Sequence, residues 1–168
     1  GYTVAGEAYR QAVAAWMAER HGWKIQLEWI VNTFGVVHGI IQAIHAFTRP
    51  GEGIIIQAPA YPPFRSVPAA TGRTLLVDPL KALPGGRYEL DLDHLESLCD
   101  RPEARLLLFC SPHNPTGRVW TQEELRQVAE ICRRHDVLVF SDEIHFDFVF
   151  PPHRHTVFAA LEEHCIVA

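Results

Sequence analysis

Three stretches of the chain are apolar at nearly every position rather than at alternate ones: "IIIQA" at 54–58, "ARLLLFC" at 104–110 and "VLVFSDE" at 137–143. A strand wetted on one face alternates polar and apolar residues, so continuous runs predict strands covered on both faces. Elsewhere the period becomes helical. Tyr9, Val13, Trp16 and Met17 share one face of residues 7–20, and His21 and Gly22 close that segment. Val37, Ile40, Ile41 and Ile44 repeat the spacing in "VVHGIIQAIHAF", just after Gly35. Leu92, Leu95 and Leu98 mark a short helix. Leu125, Val128, Ile131 and Cys132 form the apolar face of "TQEELRQVAEICRRH", which Thr121 and Glu124 open with capping-box spacing. A short helix is predicted over 61–71, its start blurred by prolines. Further strands are predicted at "WIVNTF" (29–34), "TLLVDPL" (74–80) and "CIVA" (165–168), with a polar, two-glycine connection after Leu80.

Strands alternating with helices imply right-handed crossovers and a mostly parallel sheet. The expected fold class is therefore α/β, a three-layer αβα sandwich in one domain; no linker, repeat or low-complexity tract divides the chain. Its 168 residues suffice for a sizeable core, and 48% apolar with 21% charged residues is ordinary for a globular protein. The net charge of −5, without a basic run, argues against a nucleic-acid partner. No apolar stretch approaches the ~18 residues of a membrane span, and the start reads as folded sequence rather than a signal peptide. Cys99, Cys110, Cys132 and Cys165 are far apart and form no C-x-x-C pair, so buried free thiols in a reducing cytoplasm are expected.

In a parallel sheet, ligands bind beyond the carboxyl ends of the strands. Those ends carry "NTFGVV", "QAPAYPPF", "CSPHNPTG" and "SDEIHFD". Gly35 opens a helix whose free N–H groups suit a phosphate, although glycine also starts helices for packing reasons. Tyr61, among prolines, could stack on a flat ring or be a pinned core residue. Asp142 leaves the core where a carboxylate needs donors or a cation; a ring nitrogen, a metal or a turn would each serve. His153 and His155, with His145 or His113, offer a metal alternative that chance pairing among 10 histidines makes weak.

Taken together, "SPHNPTG" followed 25 residues later by "SDE" resembles the fold-type I pyridoxal-phosphate enzymes, which include aminotransferases of classes I and II. "GVVHGI", "SPHNPTGRVWTQEEL", "SDEIHFDFVF" and "HRHTVFAAL" are similar to the cystathionine β-lyase-like carbon–sulfur lyases within that superfamily. The resemblance runs over nearly the whole chain. It implies that Asn114 donates to the phenolic oxygen of the cofactor ring, its backbone held by Pro112 and Pro115. It implies that Asp142 pairs with the pyridine nitrogen, that Tyr61 stacks on the ring, and that the amides of Val36 and Val37 hold the phosphate. His145 falls near the phenolic oxygen, and Tyr2 matches a tyrosine that reaches the partner subunit's phosphate in family dimers.

The same resemblance calls for a lysine that forms a Schiff base with the cofactor. Lys24 and Lys81, the two lysines present, lack its hydroxyl-rich surroundings. The expectation is a partial large domain over 1–168, with the catalytic lysine and a small C-terminal domain outside it, and no catalytic residue within it. An intact parent is expected to be a cytoplasmic homodimer acting on cysteine thioethers. An aminotransferase, or a non-catalytic module retaining the fold, are the rival readings.

Overall fold

The computed structural model describes residues 5–168. Helices α1 (Glu7–His21) and α2 (Val36–Phe47) precede β1 (Gly53–Ala58). Then come α3 (Pro62–Ala70), β2 (Thr74–Pro79), β3 (Lys81–Leu83), β4 (Arg87–Glu89) and α4 (Leu92–Cys99). The chain continues through β5 (Ala104–Cys110), α5 (Gln122–Arg134), β6 (Leu138–Asp142) and β7 (Cys165–Val167). Five strands form one sheet in the order β2–β1–β5–β6–β7, every neighbouring pair parallel. The chain runs outward from β1 to β2, then returns to the other side of β1 for β5. That reversal is a topological switch point, where a crevice opens at the strands' carboxyl ends.

The strand alternation sorts the core into two layers. Ile54, Ile56, Leu106, Leu108, Cys110 and Phe140 face α2 and α3, packing with Ile40, Ile44, Phe64 and Val67. Ile55, Leu107, Phe109 and Val139 face the other way, onto Leu95 and Leu98 of α4 and Leu125, Val128 and Ile131 of α5. Helices on both sides make the three layers expected, and they explain why these strands are apolar throughout.

Local chemistry fixes the helices in place. At α5 the Thr121 hydroxyl accepts the Glu124 N–H at 3.2 Å while the Glu124 carboxylate accepts the Thr121 N–H at 2.7 Å. This reciprocal cap satisfies two donors the helix cannot use itself. At the far end of α2, buried Arg73 donates to the Thr48 carbonyl at 2.7 Å and to the Thr48 hydroxyl at 3.0 Å. A cation at a helix carboxyl end suits the dipole, and it ties α2 to the start of β2.

Two predictions need correction. "WIVNTF" is not a strand: Leu27–Trp29 is a single 3₁₀ turn and the chain is irregular to residue 34. Its apolar residues pair with no strand of the sheet, and Val31 and Phe34 are 81% and 97% exposed. The two-glycine connection, in turn, is an antiparallel hairpin of β3 and β4. Three-residue strands with one half-buried tyrosine carry too little pattern to be read. The four cysteines are free thiols, all buried except the half-buried Cys165. Among the described residues, no helix is long and apolar enough to cross a membrane.

Candidate functional site

The face of the sheet covered by α2 and α3 gathers most of the predicted residues at its carboxyl edge. Asp142 ends β6 with the parity of Phe140, so it points to that face. Cys110 is its Cα partner on β5, and the Ser111 N–H donates to the Asp142 carbonyl at 2.9 Å. Asn114 lies four residues beyond Cys110. Its backbone N–H donates to the Cys110 sulfur at 3.3 Å, which holds the loop back over the strand end. Asn114 lines one small recess together with Ala60 and Phe64, which flank the α3 start, and Cys110. The loops carrying Asn114, Asp142 and Tyr61 therefore converge.

The side chain of Asn114 is half-buried and forms no hydrogen bond among the described residues. Around it the loop is firmly held. His113 is buried, its Nδ1 lies 2.8 Å from the Thr116 hydroxyl, and its ring packs edge-on to Trp120. Burial lowers the His113 pKa to about 4, so the ring is neutral at physiological pH. The Arg118 guanidinium lies over the Trp120 ring at 4.9 Å and donates to the Tyr88 carbonyl at 3.1 Å. It thereby ties the loop to the hairpin that the sequence did not reveal. A free amide on a fixed loop is what a ligand acceptor needs: the ordering cost is met at folding.

Asp142 differs sharply from its neighbour Glu143. Both are buried. Glu143 faces the α4/α5 side and is saturated: Ser141 Oγ donates at 2.8 Å, the Phe158 N–H donates at 2.9 Å, and His155 Nε2 lies 2.5 Å away. The Asp142 carboxylate accepts one hydrogen bond among the described residues, from the Ile144 N–H at 3.2 Å, and forms no ion pair among them. Burial pushes its carboxyl above the ordinary carboxylate range, while the Ile144 N–H and the charge of His145 pull it down. A cationic partner would reverse the dominant effect. The Glu143–His155 pair was not foreseen. The sequence offers both residues, but their 12-residue separation gives no hint of contact.

Gly35 caps α2 with φ 95° and ψ 165°, a region open essentially to glycine alone. The helix has no side-chain cap, so the amides of Val36 and Val37 keep their donors free at a positive helix end. Both valines pack on the same core layer that Asp142 and Cys110 border. Tyr61 is the N-cap residue of α3, 39% exposed, with its ring edge-on to Phe64 at 6.4 Å. It is a surface aromatic on a stiff turn, not a core tyrosine. Prolines occupy the first helical positions of α3, where a missing N–H costs nothing.

His145 is exposed at the start of a 3₁₀ turn, Phe146–Phe148, close enough for its charge to be felt at Asp142. Tyr2 lies outside the described residues. Lys81 pairs with Asp91 at 3.0 Å in the hairpin region, and Lys24 is exposed just after α1. His155 is committed to Glu143, and among the described residues no cluster of three or more His, Cys, Asp or Glu side chains is arranged to hold a metal.

Comparison with known proteins places the chain in a family. The family model for aminotransferase class I and II matches residues 2–168. Cystathionine beta-lyase PatB of Bacillus subtilis (strain 168) is 41% identical over 163 residues, covering 97% of this chain and 42% of that protein. The structure of cystalysin from Treponema denticola, which contains pyridoxal 5'-phosphate, superposes with a TM-score of 0.96 at 42% identity, over 99% of this chain and 43% of that one. The PLP-bound C-S lyase from Staphylococcus hominis gives a TM-score of 0.94 at 32% identity, over 99% and 44% of the two chains. The chain thus spans less than half the length of these relatives. It belongs to the aminotransferase class I and II family of fold-type I pyridoxal-phosphate enzymes.

Proposed function

We propose that these residues are the cofactor-gripping part of a pyridoxal-phosphate-dependent carbon–sulfur lyase. In that reading the intact enzyme, a cytoplasmic homodimer, removes the thiol from cysteine thioethers such as cystathionine and leaves pyruvate and ammonia. The observation that carries it is the contrast at the end of β6: the Glu143 carboxylate is saturated, while the Asp142 carboxylate, on the α2/α3 side, accepts one hydrogen bond among the described residues.

The residues present fit the group. Asp142 would hold the pyridine nitrogen in its protonated form, and Asn114 would donate to the phenolic oxygen. The Val36 and Val37 amides would take the phosphate with help from the helix dipole. Tyr61 would cover the ring face and exclude water from it. His145 would lie toward the phenolic side, and Tyr2 would serve a partner subunit's phosphate. When bound, pyridoxal phosphate supplies an electron-withdrawing ring that stabilises charge developing at the substrate's α-carbon. The protein's contribution at this edge is orientation and charge: a carboxylate that keeps the nitrogen cationic and an amide that fixes the ring's rotation.

We expect the 168-residue chain to bind cofactor without turning substrate over, since Lys81 is paired with Asp91 and Lys24 is exposed just after α1. The proton-moving lysine and a small second domain would be contributed by other parts of the protein. Titrating the chain with pyridoxal phosphate tests the binding half. A saturable change in visible absorbance that Asp142→Asn weakens supports it, and no saturable change contradicts it. For the reaction, a longer chain carrying these residues is incubated with cystathionine. Thiol and pyruvate released without an added keto acid support the lyase reading. Strict dependence on a keto-acid acceptor would make the protein an aminotransferase instead.

A further inference from the structure

Two consecutive carboxylates at the end of an apolar strand pose a problem of choice. Side chains of a strand alternate, so Asp142 and Glu143 must face opposite layers, and a one-residue slip would exchange them. Composition alone does not decide between them, since either acid could meet a cation. The donors decide. Ser141 Oγ, His155 Nε2 and the Phe158 N–H all converge on Glu143. The chain then locks behind it: the Glu143 N–H donates to the Ala168 carbonyl at 2.6 Å, and the Phe146 N–H donates to the Glu143 carbonyl at 2.8 Å.

His155 is itself held in place. Its side chain is 3% exposed, and that of Glu143 2%. The rings of Phe146 and His21 lie 6.0 Å and 5.9 Å from the His155 ring. His21 is fixed from α1 through Asp147 at 3.1 Å. Without His155, the Glu143 carboxylate would stay buried and short of a partner. Turning the strand end so that Glu143 reaches water is the nearest relief, and that turn swings Asp142 away from the α2/α3 face.

We propose that the Glu143–His155 pair is a positioning device: it selects Asp142, rather than Glu143, as the carboxylate that meets the cofactor's ring nitrogen. This rests on the reading that Asp142 faces that nitrogen. Both would act through the backbone of residues 141–143 rather than on the cofactor directly.

The test compares two ligands on the 168-residue chain: pyridoxal phosphate and its analogue with CH in place of the ring nitrogen. The wild-type chain is expected to prefer the nitrogen ring by about tenfold, the equivalent of ~1.4 kcal/mol. His155→Ala is expected to bring that ratio close to one. His155→Gln, which keeps an N–H donor, should retain most of it, and Ser141→Ala should reduce it by about half. A merely structural role would weaken both ligands equally and leave the ratio intact, which would overturn the proposal. If circular dichroism shows His155→Ala unfolded, Ser141→Ala decides, since an unchanged ratio there overturns the proposal as well. A wild-type chain indifferent to the nitrogen would instead sink the cofactor reading itself, and this inference with it.

Discussion

Asp78 and Asp142 occupy equivalent places in the sheet, each buried near the carboxyl end of a strand, yet they do opposite things. Asp78 is the next-to-last residue of β2, on the α4/α5 side. Gln57 Nε2 donates to one of its oxygens at 3.2 Å, and His94 Nδ1 lies 2.8 Å from the other. Asp142 ends β6 on the α2/α3 side with one backbone donor. Burial raises the pKa of both. The difference lies in what answers the burial: protein donors at Asp78, little at Asp142. A buried acid whose oxygens are met from within is part of the scaffold, and one left short of partners at a crevice is available for a ligand.

The largest effect that could break this contrast is on stability. Asp78→Ala strands Gln57 and His94 and should cost about 3 kcal/mol, a fall in Tm of roughly 10 °C in a chain of this size. Asp142→Asn should leave Tm unchanged or raised, yet weaken pyridoxal phosphate binding by about 100-fold, ~2.7 kcal/mol. Equal thermal losses in the two variants would erase the distinction. Gly35→Ala forces a side chain onto φ 95° and should cost about 2 kcal/mol, read as weaker affinity for inorganic phosphate and a lower Tm. Asn114→Ala should weaken cofactor binding about tenfold, with little effect on binding of the analogue lacking the phenolic oxygen.

The smallest effect is in the pH profile. A carboxyl whose folded pKa is raised binds its proton more tightly when folded, so ionising it costs stability as pH climbs above the ordinary value of 3.8. Without ligand, Asp142→Asn should therefore flatten the decline in chemical-denaturation stability above that pH. With pyridoxal phosphate present the sign reverses for wild type. A cationic partner pulls the Asp142 pKa down, so the stabilisation by ligand should grow as pH rises toward neutrality.

Much of this was legible in the sequence, for physical reasons. "IIIQA", "LLLF" and "VLVF" read as doubly covered strands because burial on both faces leaves no polar alternation to keep. Thr121 and Glu124 announced α5 because a capping box is a local structure. Asn114 and Asp142 stood out because stiff or acidic residues at apolar strand ends need a reason. "WIVNTF" misled because its apolar residues mimic a strand while Val31 and Phe34 stay exposed and pair with none. The β3–β4 hairpin is too short to show a period. The partners that separate Asp142 from Glu143, namely His155 and the Phe158 amide, are remote in sequence, and only folding brings them together.

The most direct test follows the ring nitrogen itself. Pyridoxal phosphate labelled with ¹⁵N in the ring is bound to the 168-residue chain, and its nitrogen resonance is recorded at neutral pH. The account predicts the position of a protonated pyridine in the wild-type chain and a shift to the unprotonated position in Asp142→Asn. An unprotonated nitrogen in the wild-type complex, or a protonated one that Asp142→Asn leaves in place, would contradict it.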